Sequence, residues 1–357
     1  MTENVHNDWD LRSEEVQKDQ VAAYDAMRRR CPVAHDEFMG YSVFKNADVQ
    51  HVLDHPEIYS NVVPNGMDAP EHTTFRAVND KYFTPERLEK FAPVIRDAVK
   101  TLIAELPRGE EVDVMQGFGQ AYAMRVQNAF MGWPACLEQP LTEWIEKNRV
   151  ATLRRDREEI AKVALEFDGY IRQLLDERRE DAAAGNPKDV TAELLTDTVQ
   201  LPGEEPRTMT DEEIVSLIRN WTVGELSTVS ATVGVFINFL ARNRAEQDRL
   251  RVSLADGNAL DDRSEIALAV EEIMRLEDTL VTNRRITTRD TELGGRTLPA
   301  GSRVTINWAS ANRDEDAFED ARAYNPHRDQ SRNLVYGDGI HVCPGAPLAR
   351  LELRILL

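Results

Sequence analysis

Residues 221–241, WTVGELSTVSATVGVFINFLA, contain one charged side chain, Glu225. A run this apolar has to be hidden, either in a bilayer or inside a protein. A membrane span takes about 20 predominantly apolar residues, so length permits one. The centre of the run is Gly, Glu, Ser, Thr and Ser, which is poor lipid-facing material because polar groups are costly in hydrocarbon. The reading is therefore a long helix through the centre of a soluble protein, apolar all round because it is buried all round. Thr210 followed by Glu213 forms a capping box that opens such a helix. It is expected from about 211 to 242, roughly 48 Å at 1.5 Å per residue.

The rest of the chain supports a soluble, mainly α protein with small β sheets. Lys and Arg number 43 against 63 Asp and Glu, a net charge of −20 across 357 residues. Phosphates reward a basic face, so no nucleic-acid partner is expected. Apolar residues make up 41%, close to the globular norm and unlike a disordered chain. The cysteines, Cys31, Cys136 and Cys343, are too few and too scattered for a disulfide framework, which fits a reducing compartment. The first ten residues have neither a basic n-region nor an apolar core, so no secretion signal is read there. Cytoplasmic location and no membrane partner are expected.

Helical periodicity covers 15–30, 47–54, 70–82, 86–105, 117–130, 138–151 and 156–183, with shorter helices near 190–199, 244–254 and 263–276. Residues 36–44 read as extended around a Gly40 turn. Residues 285–308 form the clearest β region, with Gly-Gly and Pro-Ala-Gly turns between β-formers. An irregular stretch, 311–342, precedes a last helix with Leu348, Leu351 and Ile355 on one face. No segment resembles a flexible linker, so residues 1–357 are expected to form a single domain.

The string Tyr336-Gly337-Asp338-Gly339-Ile340-His341-Val342-Cys343-Pro344-Gly345 carries the chemistry. Cys343 sits in a glycine-rich loop just before a helix, where backbone N–H groups favour an anion such as a thiolate. Gly337, Gly339 and Gly345 permit tight turns and close backbone approach. The spacing suits a pre-folded cradle that presents one sulfur anion to a metal. A buried inert cysteine is the plain alternative. A nucleophilic role would need a base from elsewhere, since His341 two residues away is poorly placed. Zinc would need further ligands beside the cysteine, and no CxxC exists.

This loop resembles the heme-binding signature of the cytochrome P-450 superfamily, FGxGxHxCxG, with Tyr336 in place of the usual Phe. Further motifs agree. Glu272-Ile273-Met274-Arg275 resembles the ExxR of the family's K helix, and Tyr324-Asn325-Pro326-His327-Arg328 resembles the meander that supplies its third member, Arg328. His72-Thr73-Thr74-Phe75-Arg76 resembles the HxxxR of the C helix. Arg285 stands where the family has another propionate-binding arginine. Val223-Gly224-Glu225-Leu226-Ser227-Thr228 resembles the oxygen-activation motif of the I helix. Ser227 replaces the acid usually found beside the threonine, and an acid occurs at Glu225 instead. Thr228 is expected to bond back to the Gly224 carbonyl and loosen the helix, and Gly224 lets a flat ligand approach.

The resemblance covers essentially the whole chain. It implies the cytochrome P-450 fold, with a long central I helix over heme b. Cys343 would be the iron ligand. His72, Arg76, Arg285 and His341 would bind the propionates through charge-assisted bonds. Only eleven residues separate Ser60 and His72, where relatives carry a longer loop, and the last helix stops at Leu357, so a short or truncated C-terminus is expected. The implied activity is a heme-thiolate monooxygenase acting on a small organic substrate. Its electrons would come from a separate NAD(P)H-linked ferredoxin reductase and ferredoxin, docking near Lys81, Arg328, Arg332 and Arg350. Trp221, Asn220, Leu280, Val281 and Thr282 are the expected pocket residues. A peroxide-driven peroxygenase, favoured by Ser227, and a non-catalytic heme sensor are the alternatives. Glu225 is expected to take over proton delivery to Thr228, or else to bind a polar substrate.

Overall fold

The computed structural model describes residues 7–62, 66–254 and 261–357. The N-terminal segment read for a secretion signal, and the short loop between Ser60 and His72, lie partly outside these residues. Contacts divide the chain into two compact units: Met1–Thr73 with Asp262–Cys343, and Thr74–Asp261 with Pro344–Leu357.

The first unit is built on a five-stranded mixed sheet. Its strands run in the order Val33–Asp36, Gly40–Val43, Arg303–Asn307, Thr282–Thr287 and Tyr59–Ser60. Only Gly40–Val43 and Arg303–Asn307 are parallel, with Tyr41 opposite Val304. Residues far apart in sequence thus share one sheet, which a local pattern does not reveal. Gly40 adopts φ +70°, and a Cβ there would meet the Arg303 carbonyl oxygen at 2.3 Å, so the expected turn needs glycine. One sheet face buries Val33, Tyr41, Val43, Tyr59, Val304 and Ile306 with Val49, Val52 and Leu53 of the helix Asn46–Asp54. The β region 285–308 resolves into four strands, two of which, Thr291–Leu293 and Arg296–Leu298, form a separate hairpin around Gly294 and Gly295. The helix Glu265–Leu276 carries Glu272 and Arg275 into the interior of this unit.

The second unit is helical. Its core joins Ile95 and Val99 of the helix Pro85–Glu105, Tyr122 and Met124 of Gln120–Met131, Trp144 of Glu138–Arg154 and Phe167 and Ile171 of Arg157–Ala183. Ile214, Val215, Ile218, Leu226, Val229 and Val233 of the long segment belong to the same cluster. Asp211–Arg242 is long and apolar enough to cross a membrane by length and composition, yet it packs as a core element here. The Thr210–Glu213 capping box is formed, with both of its bonds.

Two local expectations are corrected. The long helix is not buried all round: Gly224 and Ser227 are exposed, and Glu225 and Thr228 are half-buried. Its loosening does not come from a Thr228 bond to Gly224. Residues Gly224–Val229 form a π-turn in which the Ser230 N–H reaches the Glu225 carbonyl, and such single turns widen a helix locally. In the last helix, Ala346–Leu356, Leu348 is buried and Leu351 and Ile355, half-buried, pack against the same core cluster, joined by buried Ala346, Glu352 and Leu353. The small antiparallel pair Thr198–Val199 with Arg207–Thr208 was hidden by the turn-rich composition around it.

Candidate active site

The cysteine loop is folded by its own backbone. Cys343 N–H donates to the Tyr336 carbonyl at 2.8 Å, Gly337 N–H to Leu334 O at 2.9 Å and Val342 N–H to Gly339 O at 3.2 Å. Gly337 and Gly339 both adopt positive φ, +70° and +68°. A Cβ on Gly339 would lie 2.8 Å from the Leu53 carbonyl oxygen, so the loop sits directly on the helix Asn46–Asp54. Gly345 differs: at φ −81° its conformation is open to any residue. Asp338 was not foreseen. It accepts from the Gly339 N–H at 2.7 Å and from Gln50 Nε2 at 2.8 Å, tying the loop to that helix. Cys343 is exposed and in no disulfide.

Beside the loop, the first unit gathers three of the four expected donors. The rings of His72 and His341 lie 4.3 Å apart, edge to face. Burial, then the neighbouring His72 and Arg285, push His341 down to about 4, so it is neutral at pH 7. Its enclosed Nε2 makes no hydrogen bond and lies 3.5 Å from Asp68 Oδ1. Arg285 is 4% exposed. Burial lowers its pKa, and Asp68 is the carboxylate that opposes this. Asp68, absent from the sequence motifs, is held by Ser60 Oγ at 2.5 Å and the Asn61 N–H at 3.0 Å. Buried charge is normally paired. A sunken guanidinium and an imidazole nitrogen without an acceptor therefore fit a group that brings its own carboxylates, as heme does. Arg76 belongs to the second unit, where its Nε donates to Asp80 Oδ1 at 2.6 Å.

The ExxR pair is a buried network. Glu272 and Arg275 are both 0% exposed. Arg275 Nε and Nη2 each reach a Glu272 oxygen at 2.8 Å, and its Nη1 donates to the Asn312 and Ala321 carbonyls at 2.6 and 2.8 Å. Arg328 Nε donates to Glu272 at 3.2 Å, joined by the Asn325 N–H at 2.9 Å and Gln330 Nε2 at 3.0 Å. Burial alone would raise Glu272, but the Arg275 and Asn325 bonds hold it below the usual carboxylate range. Gln330 carries no sequence signal, because an isolated amide in an irregular stretch has no pattern.

In the second unit, the π-turn brings Gly224, Glu225, Ser227 and Thr228 to one widened segment. A Cβ on Gly224 would meet nothing within 4 Å. The Thr228 hydroxyl makes no hydrogen bond among the described residues, while its carbonyl accepts from Thr232 Oγ1 at 2.7 Å. Glu225 does not stand alone. Its carboxyl is in hydrogen-bond contact with that of Glu352, a residue overlooked in the sequence. The signal was available: Glu352 follows Leu348 at i+4, an acid on an apolar helix face.

Other expectations change. Trp221 is drawn into an aromatic cluster with Tyr82, Phe83 and Phe130, and its indole N–H donates to Asn79 Oδ1 at 2.7 Å. Asn220 and Leu280 are exposed. Of the docking cations, Arg328 has a side chain only 6% exposed and is committed to Glu272. Arg332 binds Asn46 Oδ1 at 3.0 and 3.1 Å, and Lys81 pairs with Asp197. Lys81 and Arg332 stay exposed, but their charged ends are tied to acceptors that sequence proximity does not reveal.

The sequence profile described as "Cytochrome P450" matches residues 125–357. "Cytochrome P450 109" of Bacillus spizizenii is 29% identical, over 98% of this chain and 85% of its own. The erythromycin C-12 hydroxylase of Saccharopolyspora erythraea is also 29% identical, over 95% and 86%. The crystal structure of CYP109E1 from Bacillus megaterium in complex with corticosterone superposes with a TM-score of 0.82 at 26% identity, covering 96% of this chain and 90% of the other. The cysteine loop, the buried ExxR network and these matches together make the chain a member of the cytochrome P450 family, a monooxygenase that binds protoheme.

Proposed function

We propose that this enzyme inserts one oxygen atom from O2 into a small organic substrate, in the cytoplasm, with electrons from a separate ferredoxin and NAD(P)H-linked ferredoxin reductase. Cys343 is the iron ligand. His341, His72 and Arg285 hold the heme carboxylates, with Arg76 as a fourth donor, and the Glu272–Arg275–Arg328 network fixes the fold beneath the loop. Bound heme supplies the oxygen chemistry, which thiolate ligation favours by pushing electron density toward the O–O bond. The protein's share is to orient substrate and to move protons.

The π-turn Gly224–Val229 carries this reading. Thr228 holds and passes a proton, in keeping with a hydroxyl that has no protein acceptor. Glu225 is the proton source where Ser227 replaces the usual acid. Burial raises Glu225 to about 8, near the operating pH, where a general acid is most effective. The erythromycin hydroxylase among the relatives supports hydroxylation, and the absence of an acid at Ser227 is the one feature favouring a peroxide-driven reaction.

Product formation with NAD(P)H, ferredoxin and reductase, compared with hydrogen peroxide alone, tests the proposal. Turnover only with the electron partners supports it. Turnover only with peroxide makes the enzyme a peroxygenase, and ligand-induced spectral shifts without turnover make it a sensor.

A further inference from the structure

Glu352 is 0% exposed, on the helix Ala346–Leu356. Both of its carboxyl oxygens are enclosed and receive no bond from any donor group, and the same holds for Glu225 Oε1. The two carboxyls are in hydrogen-bond contact with each other. Two carboxyl groups bond side by side only when a proton lies between them, because an ionised carboxylate is purely an acceptor. Among the described residues no cation replaces that proton: no Lys, Arg or His acts on either group. The remaining neighbour is Tyr122, itself 0% exposed, whose hydroxyl donates to the Glu352 backbone carbonyl at 3.0 Å and leaves the carboxyl untouched. Two like charges in such a site cannot both ionise near neutral pH.

We propose that Glu225 and Glu352 form a proton-sharing dyad, in which Glu352 is a positioning residue that keeps a transferable proton at the Glu225 carboxyl on the long helix. This rests on the reading of Glu225 as proton source and adds the group that shares its proton. Burial raises both carboxyls, and the Glu225 charge raises Glu352 further. The dyad gives up its shared proton toward Thr228, becomes more negative, and regains a proton from solvent. No electrons move in the step. Burial by itself raises Glu225, and the bond to Glu352 pulls against that rise, while Glu225 raises Glu352. The second carboxyl is therefore the other holder of the shared proton, a part Ser227 cannot play.

The test is infrared titration of the heme-loaded protein, following the exchangeable stretch of protonated carboxyl groups in H2O and D2O. Asp278, which burial pushes up to about 7, contributes its own band. Subtracting the spectrum of the double variant E225Q/E352Q isolates the pair. In the parent, the pair's band persists through neutral pH. In E225Q, the like charge is replaced by an amide donor, so the band left by Glu352 titrates lower by about one pH unit or more, the coupling expected of interacting sites. An unchanged midpoint in E225Q, or no band from the pair at pH 7, overturns the dyad. E225Q alters a half-buried side chain, and the difference between parent and E225Q spectra across the titration gives the same comparison if no variant at Glu352 folds. The pH profile of coupled turnover separates this inference from the one beneath it. If E352Q shifts the profile together with the band, Glu352 acts through Glu225. If the band behaves as stated while the profile of E352Q matches the parent, the dyad exists and the proton-delivery role of Glu225 is refuted.

Discussion

Replacing Glu272 by Ala removes the centre of the buried network. Glu272 accepts five hydrogen bonds: two from Arg275, and one each from the Asn325 N–H, Arg328 and Gln330. Arg275 retains the Asn312 and Ala321 carbonyls through Nη1, so its charge is only partly stranded. Its Nε loses its acceptor and its Nη2 keeps only the Ala323 carbonyl at 3.4 Å, at a site with 0% exposure, and each stranded buried donor costs about 1–3 kcal/mol. The two together span the loss of about 3–5 kcal/mol typical of breaking one side of a buried ion pair. Urea unfolding of heme-loaded parent and variant, at matched heme content, measures this. E272Q keeps one acceptor oxygen and should lose less. The double variant E272A/R275A should lose less than the sum of the two single changes, because it leaves no unpaired charge. The folded-state pKa of Glu272 is lowered, so its contribution is complete above the unfolded value of 4.5 and fades as pH falls through the folded one. Parent and E272A should therefore converge in acid. A loss below about 1 kcal/mol, the scale of an exposed pair, would refute the reasoning.

Cys343→Ser should abolish the thiolate signature of the reduced carbon-monoxide complex, while Cys31→Ser and Cys136→Ser keep it; an intact spectrum in the Cys343 variant would remove that residue as ligand. Gly339→Ala should cost more stability than Gly185→Ala, measured by thermal unfolding. Both adopt positive φ, a strain of about 1–3 kcal/mol for alanine, but only Gly339 also places the new Cβ 2.8 Å from a carbonyl, at Leu53. Asp278 is raised by burial from 3.8 to about 7 despite bonds from the Leu280 N–H and Asn312. The folded state then holds a proton that the unfolded chain releases, so stability falls as pH rises from 3.8 through about 7. Asp278→Asn should flatten that slope in thermal unfolding across this range, and an unchanged slope would exclude Asp278 as its cause.

The local parts were legible from residue types alone. The capping box at Thr210, the Gly40 turn, the paired glycines 337 and 339 and the Glu272–Arg275 spacing each depend on backbone geometry within a few residues, which side-chain size and charge dictate directly. Position along the chain, together with a family likeness, extended this to Arg328 and to His72, Arg285 and His341, the donors proposed for the heme carboxylates. Other features were decided only by packing between distant segments. The parallel pairing of Gly40–Val43 with Arg303–Asn307 brings together strands with no common local pattern. Asp68 and Gln330 acquire their roles from neighbours that the fold supplies, and the exposed Arg332 and Lys81 are tied to the buried Asn46 and Asp197 in the same way. Glu225 shows the division most clearly. The sequence marked it as the lone charge in an apolar run, whereas its raised pKa comes from burial in the fold and its contact with Glu352 from the packing of a helix more than a hundred residues further along the chain. Burial and like charge act through space, and no periodicity in the sequence records which carboxyl will lie across from which.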